Sequence, residues 1–407
     1  MSEAVVSPAD IDGWATDPNG PVALCLKQTL LPVEGPGGIV HPPTYADIGY
    51  NLDRLADGTT VATLDSVASA ANRLEPFFKA RRGAPREEWL VPQFEIVIRE
   101  ERCGECAACK AQEGKAPTCI HPVKVTRSLL DFAHRAADAA VQSTALGPEL
   151  QRAFDTLRRT GDAGPLCSLA PTSLVFGVWD SRGGSGEKRP RLVRSVVRAW
   201  QVERLHAASQ FNSVWKALDD AQKADLTQAA DKAKVRLSES GFADAPGVFR
   251  KVSPAGARAL PAFREGLPNP ERRVLGGVLV HGPIVRDLTV NLVALRGLRG
   301  SDDAQTDRIR RYLLSLALVA ATADVDLFLR EGCHLRYTGD DRWHTVPRRG
   351  EPNGVAIDPA IVGAYAADAT QPFRCRWPEA VEYRFDLKMA KKLLARKTEE
   401  EPEETAE

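Results

Sequence analysis

VLGGVLVHGPIVRDLTVNLVAL, residues 274–295, reads as two apolar strands joined at His281-Gly282-Pro283. Turn-forming residues between two β-compatible runs predict a strand pair. Toward the N-terminus, VALCLKQTLLPV (22–33) is β-compatible and ends in the turn-rich EGPGG, and Pro42 and Pro43 keep HPPTYADIGY extended. TTVATLDSVASAANRLEPFF is expected to be helical, with Val61, Leu64, Val67, Ala71, Leu74 and Phe78 three to four residues apart. WLVPQFEIVIRE alternates as a strand, VTRSLLDFAHRAADAAV has an amphipathic helical pattern, and TSLVFGVWDS is a short apolar strand. RLVRSVVRAW (191–200) has helical spacing but also three valines that suit a strand, and both readings stay open. SVWKALDDAQKADLTQAADKAKVRL reads as a charged helical insertion, RIRRYLLSLALVAATA as a buried helix and VEYRFDL as a last strand. Helices and strands mix without βα alternation or an internal repeat, which favours an α+β fold with an antiparallel sheet.

The chain has 407 residues, enough for a large core, with 43% hydrophobic and 27% charged side chains. It contains no long apolar run of membrane-spanning length, and MSEAVVSPADIDGW lacks the basic and apolar regions of a secretory signal. A cytoplasmic, reducing location follows as the expectation. The tail EEEPEETAE (399–407) holds six glutamates; taking them from a net charge of zero leaves the remaining chain at +6. Neutrality therefore does not exclude a nucleic-acid partner. Residues 1–20 are expected to be a flexible arm and 391–407 a basic-then-acidic disordered tail. Residues 21–390 are expected to form a single domain with insertions at 99–124 and 205–245.

CGECAACKAQEGKAPTC (103–119) places Cys103, Cys106, Cys109 and Cys119 in the spacing C-x2-C-x2-C-x9-C. Thiolates at that spacing can converge on one tetrahedral ion, and four of them close a structural zinc (Zn2+) site with no open position for catalysis. His121 can stand in for one ligand. An iron–sulfur cluster and unliganded thiols are the alternatives; the nine-residue gap and the missing Cys-Pro ending count against the cluster.

Catalytic signatures are missing: there is no G-x-x-x-x-G-K-[ST], no H-E-x-x-H and no G-x-S-x-G, and the seven histidines are dispersed. The chain instead carries basic runs beside glycines. Arg182 to Trp200 holds Arg182, Lys188, Arg189, Arg191, Arg194 and Arg198 against Glu187. KARRGAPR (79–86) is a second run, and Arg296, Arg299, Arg308, Arg310 and Arg311 form a third. A glycine-rich backbone approaches phosphates closely and guanidinium forks match their oxygens, so these runs point to nucleic-acid backbone binding.

KQTLLPVEGPGGIVHPPTYAD, SVASAANRLEPFF and SLVFGVWDSRGGSGEKRPRLVRS resemble, in that order, the Cas-seven-type backbone RAMP subunit of type I-G (formerly I-U) CRISPR effector complexes. GGVLVHGPIVRDLTVNLVALRGL and RRYLLSLALVAATADVDLFLREGCHL fit the same family. The resemblance implies a modified RNA-recognition-motif (ferredoxin-like) antiparallel sheet with helices and large insertions. It also implies a non-catalytic subunit that binds CRISPR RNA (crRNA) and assembles with copies of itself as a helical filament. That filament would present the guide for pairing with target DNA, beside a Cas-five-type cap subunit and a Cas-three-type helicase-nuclease.

On that reading Lys27 and Gln28 face RNA from the first strand, and Asn72 and Arg73 contact phosphate or ribose, or else belong to an internal Arg73–Glu75 or capping network. Trp179, Ser181 and Arg182 lead into the glycine loop, where Trp179 either wedges against a base or belongs to the core. Lys188, Arg189, Arg191 and Arg194 hold phosphates. An RNA-cleaving RAMP using Asp180, and a zinc-stapled enzyme unrelated to CRISPR, are the competing readings. Elemental analysis of the purified chain is expected to return zinc; iron with visible absorption, or no metal at all, would overturn the four-cysteine assignment.

Overall fold

The computed structural model describes residues 4–45, 49–101, 103, 123–180, 187–206, 214–235, 237, 240, 242, 275–378 and 381–400. Its strands include β1 (Ala4–Val5), β2 (Ala23–Pro32), β3 (Leu52–Arg54), β4 (Thr60–Asp65), β5 (Val178–Asp180), β6 (Glu187–Arg189), β7 (Val193–Trp200) and β8 (Val202–His206). Further along lie β9 (Leu275–Val280), β10 (Ile284–Asn291), β11 (Cys333–Val346) and β12 (Asn353–Ala356). The helices that position them are α1 (Pro8–Thr16), α2 (Val67–Leu74), α3 (Asp303–Thr322), α4 (Pro359–Arg374) and α5 (Leu387–Glu400). The protein is thus α+β with several sheets.

The principal sheet runs β1–β12–β11–β2–β10–β7–β4–β3. Every step is antiparallel except β1–β12. One face is sealed. Leu24, Leu26 and Leu30 of β2 pack there with Val193 and Val197 of β7 and Leu288 and Val290 of β10. α3 covers this face and is buried on nearly every side, through Ile309, Tyr312, Leu313, Leu316 and Ala320. Its outer side is occupied by α1 and α4, so its apolar residues do not form a single stripe. Tyr312 stacks on Phe373 at 4.5 Å between ring centroids and donates its hydroxyl to the Leu90 carbonyl at 2.6 Å.

Several elements differ from expectation for identifiable reasons. The arm expected over residues 1–20 contains α1, opened by a Ser7–Asp10 capping box with Pro8 in the first turn. Ile11, Trp14 and Ala15, at helical spacing, are buried against the core. The helix expected across TTVATLDSVASAANRLEPFF is β4 followed by α2; the Ser66 hydroxyl accepts from Ser69 N and starts the helix. Burial of β4 on both sides had erased its period of two. VTRSLLDFAHRAADAAV is a strand at Val123–Ser128 followed by 3-10 turns at Leu129–Asp131 and Arg135–Ala137. RLVRSVVRAW resolves to β7. α5 continues to Glu400 through the start of the expected tail, while residues 401–407 lie outside the described ones.

The strands on either side of His281-Gly282-Pro283 are both present but do not pair with each other. β9 pairs with β8 and β10 with β7, giving one long ribbon that bends where Gln201 adopts φ 52°. A Cβ on Gly282 would lie 2.7 Å from the Trp200 carbonyl oxygen, so the bend requires glycine. The insertion expected at 205–245 contains a helix at Asp220–Ala233 with its own capping box at Asp219. No helix among the described residues is long and apolar enough to cross a membrane.

Candidate functional site

The second face of the principal sheet is basic, with exposed cations among half-buried and buried neighbours. Arg342, Lys27, Asp287 and Val196 form one cross-strand row through β11, β2, β10 and β7. His344, Cys25, Thr289 and Arg194 form the next. Arg198 and Thr29 flank Val285 in a third, and Arg336 stands beside Leu31. Lys27, Arg194, Arg336 and Arg342 are exposed. Arg342 pairs with Asp340 at 3.0 Å, whereas Lys27 and Arg194 make no ion pair with any described residue.

Strand alternation separates the two residues assigned to β2. Lys27 is on the basic face, and Gln28 is on the sealed face with 3% exposure. Its Oε1 accepts from Arg286 Nη1 at 2.8 Å and its Nε2 donates to Asp341 Oδ2 at 2.9 Å. Arg286, 2% exposed, also donates Nε to Ser195 Oγ at 3.1 Å, and burial lowers its pKa. Gln28 therefore satisfies a buried cation rather than reaching a surface ligand.

A two-stranded hairpin, β5–β6, projects ahead of β7. Trp179 is 62% exposed and stands opposite Lys188, so an aromatic ring and an ammonium share one face of the hairpin. The tip, 181–186, lies outside the described residues, and Ser181 and Arg182 with it. Arg189 is half-buried opposite Val178. Arg191 is exposed at the hairpin's foot, its Cγ so close to Gly177 (φ 78°) that a Cβ there would sit at 2.7 Å.

The hairpin is anchored by Arg135, which sequence reasoning missed because it sat inside an expected helix. Arg135 adopts φ 53° and is 4% exposed. Its Nε lies 2.7 Å from Glu75 Oε2, Nη1 donates to the Gly177 carbonyl at 3.2 Å, and Nη2 donates to Asn72 Oδ1 at 3.3 Å. The guanidinium also covers the Phe176 ring at 5.5 Å. One side chain thus ties the ANRLE segment to the VFGVWDS segment. Arg73 pairs not with Glu75 but with buried Asp65, at 3.6 Å. Burial pushes the Glu75 carboxyl up to about 7, against the opposing pull of Arg135 and the Thr172 hydroxyl. Burial likewise lowers Arg135.

The remaining basic runs divide. In the third, Arg296 donates to the carbonyls of Trp14 and Pro21, Arg310 to those of Leu298 and Arg296, and Arg311 pairs with Asp12 at 3.0 Å. Those three arginines staple α1 and α3 in place. In the second, Lys79 pairs with Asp131 at 2.5 Å and Arg86 donates to the Trp377 carbonyl at 2.7 Å, while Arg81 and Arg82 are exposed. Of the four clustered cysteines only Cys103 is described; Cys106, Cys109 and Cys119 lie outside the described residues, as does His121. Among the described residues no group of three or more His, Cys, Asp or Glu side chains could hold a metal ion.

The first two hundred residues supply two strands of the basic sheet face, β2 and β7, and the anchored aromatic hairpin. Residues 24–204 match the family model described as CRISPR-associated protein GSU0053. The match makes this part of the chain, somewhat under half of its length, similar to a CRISPR-associated family. It runs from β2 through the Arg135 anchor and the hairpin into β8. No curated protein matches the chain.

The anchor has a pH signature. Glu75 holds its proton up to about 7 in the fold against an ordinary value of 4.5. Its stability contribution is therefore fully present below the ordinary value and is lost as pH rises through about 7. Replacing Arg135 by methionine removes the one cation that offsets the buried carboxylate, at a cost of about 3–5 kcal/mol near pH 8 and less near pH 5. Urea unfolding at both pH values measures this, and equal losses would contradict the pairing.

Proposed function

We propose that the chain is a non-catalytic crRNA-binding backbone subunit of a type I CRISPR effector complex, of the Cas-seven type and the I-G subtype. The four central strands, β11–β2–β10–β7, follow the chain order strand, helical segment, strand, strand, helix, strand. That is the order of the ferredoxin-like motif on which RNA-recognition domains are built, with helices on one face and the other open to RNA. The observation that carries the reading is the face itself: Lys27, Arg194, Arg198, Arg336 and Arg342 stand on paired strands beside two carboxylates, Asp287 and the Asp340 that pairs with Arg342. Rigid strands hold these cations at fixed spacing, which suits backbone recognition without base readout.

The hairpin adds a stacking element. Trp179 offers a ring to any base, and Lys188 beside it offers a charge to the adjoining phosphate. The subunit would line up with copies of itself along the guide and hold it for pairing with target DNA. A Cas-five-type cap subunit and a Cas-three-type helicase-nuclease would complete the machinery. Cys103, Cys106, Cys109 and Cys119 would bind structural zinc and stiffen the 99–124 insertion.

Fluorescence anisotropy with guide-length single-stranded RNA at several salt concentrations tests the reading. Trp179→Ala is expected to cost about 1–3 kcal/mol of binding. The Lys27→Ala/Arg194→Ala double variant is expected to reduce the slope of log affinity against log salt by roughly 1.4, at ~0.7 per phosphate contact. Unchanged affinity and slope in both variants would overturn it.

A further inference from the structure

The KARRGAPR run borders a cavity of about 200 Å³ that the sheet face does not use. Phe77, Phe78 and Trp89 supply aromatic walls, and Lys79, Arg81 and Glu88 supply charge. Drug-sized pockets measure about 300–1,000 Å³, so this one suits a flat ring rather than a whole cofactor. Its walls are fixed in advance. Gln93 accepts from Ala80 N at 3.0 Å and donates to the Phe78 and Val91 carbonyls at 3.0 Å, clamping both ends of the loop. Trp89 Nε1 donates to the Ala84 carbonyl at 3.2 Å, which sets the indole, and Phe78 is buried against Phe176 at 6.3 Å. Phe77 nevertheless stays 49% exposed, an apolar ring presented to solvent by a rigid loop. Lys79 is already paired with Asp131, whereas Arg81 is exposed and pairs with no described residue.

We infer that this cavity is a second nucleic-acid site, which takes one unstacked base of a single strand against Phe77 while Arg81 holds its phosphate. The inference rests on the reading of the chain as a nucleic-acid-binding protein and adds a site separate from the sheet. Glu88 would repel a bare phosphate at the pocket wall but accepts a hydrogen bond from an exocyclic amine, as acidic side chains do from cytosine N4. The site therefore prefers cytosine to uracil.

The test uses full-length protein with oligocytidine and oligouridine, each as RNA and as DNA, in fluorescence anisotropy. Phe77→Ala is expected to weaken oligocytidine binding about fivefold or more, with Phe77→Tyr restoring it. Arg81→Ala should flatten the salt dependence. Glu88→Gln should shrink the preference for cytosine. Loss confined to RNA would assign the pocket to a guide strand, and loss confined to DNA to a displaced target strand; either supports the site. Full affinity in Phe77→Ala, alongside weakened binding in Trp179→Ala, would overturn the pocket and leave the sheet reading intact. Failure of the unaltered protein to bind any of the four strands would overturn both.

Discussion

The period-two register of β2 governs the rest of the structure. The strand lies between β11 and β10 in the middle of the principal sheet; its Leu24 and Leu26 are sealed in the core that contains α3, and its Leu30 in a second core with Val197 and Ile284. A slip of one residue would bring Lys27 into the core and Gln28 to the surface. It would also leave Arg286 without the amide oxygen that receives its Nη1. Burial of three leucines on one face therefore sets the charge on the other. Because β11, β10 and β7 are paired in register to β2 or to its neighbour, the same constraint carries Arg342, Arg194 and Arg198 outward.

Two buried arginines join this scaffold to its surface features. Arg286 reaches across three strands, its Nε to Ser195 and its Nη1 to Gln28, and so ties their lateral fit. Arg135 joins α2 to the foot of the hairpin through Glu75, Asn72 and Gly177. Burying charge in this way is expensive, and a hydrophobic contact of the same volume would stabilise the fold at least as well. What the ion pair supplies is direction: a guanidinium fork fixes the hairpin's foot at several points, where an apolar contact would let it slide.

Much of this was legible in the amino-acid pattern. The α+β class, the strand at VALCLKQTLLPV and the buried helix at RIRRYLLSLALVAATA all follow from periodicity and residue type. Side-chain commitments were not legible. Lys27 and Gln28 are neighbours in sequence and opposites in space, which alternation could have revealed once the strand was accepted. Arg296, Arg310 and Arg311 looked like a basic patch because a string of letters does not show the backbone carbonyls they cap. Arg135 was hidden because its left-handed backbone breaks a pattern that otherwise reads as helix, and only the distant Glu75 explains it. Arg336 and Arg342 were overlooked in β11, where the Asp340 bulge shifts the register.

The basic sheet face, the anchored hairpin and the similarity to a CRISPR-associated family all bear on one claim, that this chain holds a guide RNA by its backbone. The most direct measurement is made on the chain co-expressed with a repeat–spacer array and its partner genes, then purified at high salt. Extracted nucleic acid is run on a denaturing gel beside size-exclusion analysis of the intact sample. The account predicts a large assembly containing RNA of one discrete length. A monomer or dimer free of nucleic acid would contradict it.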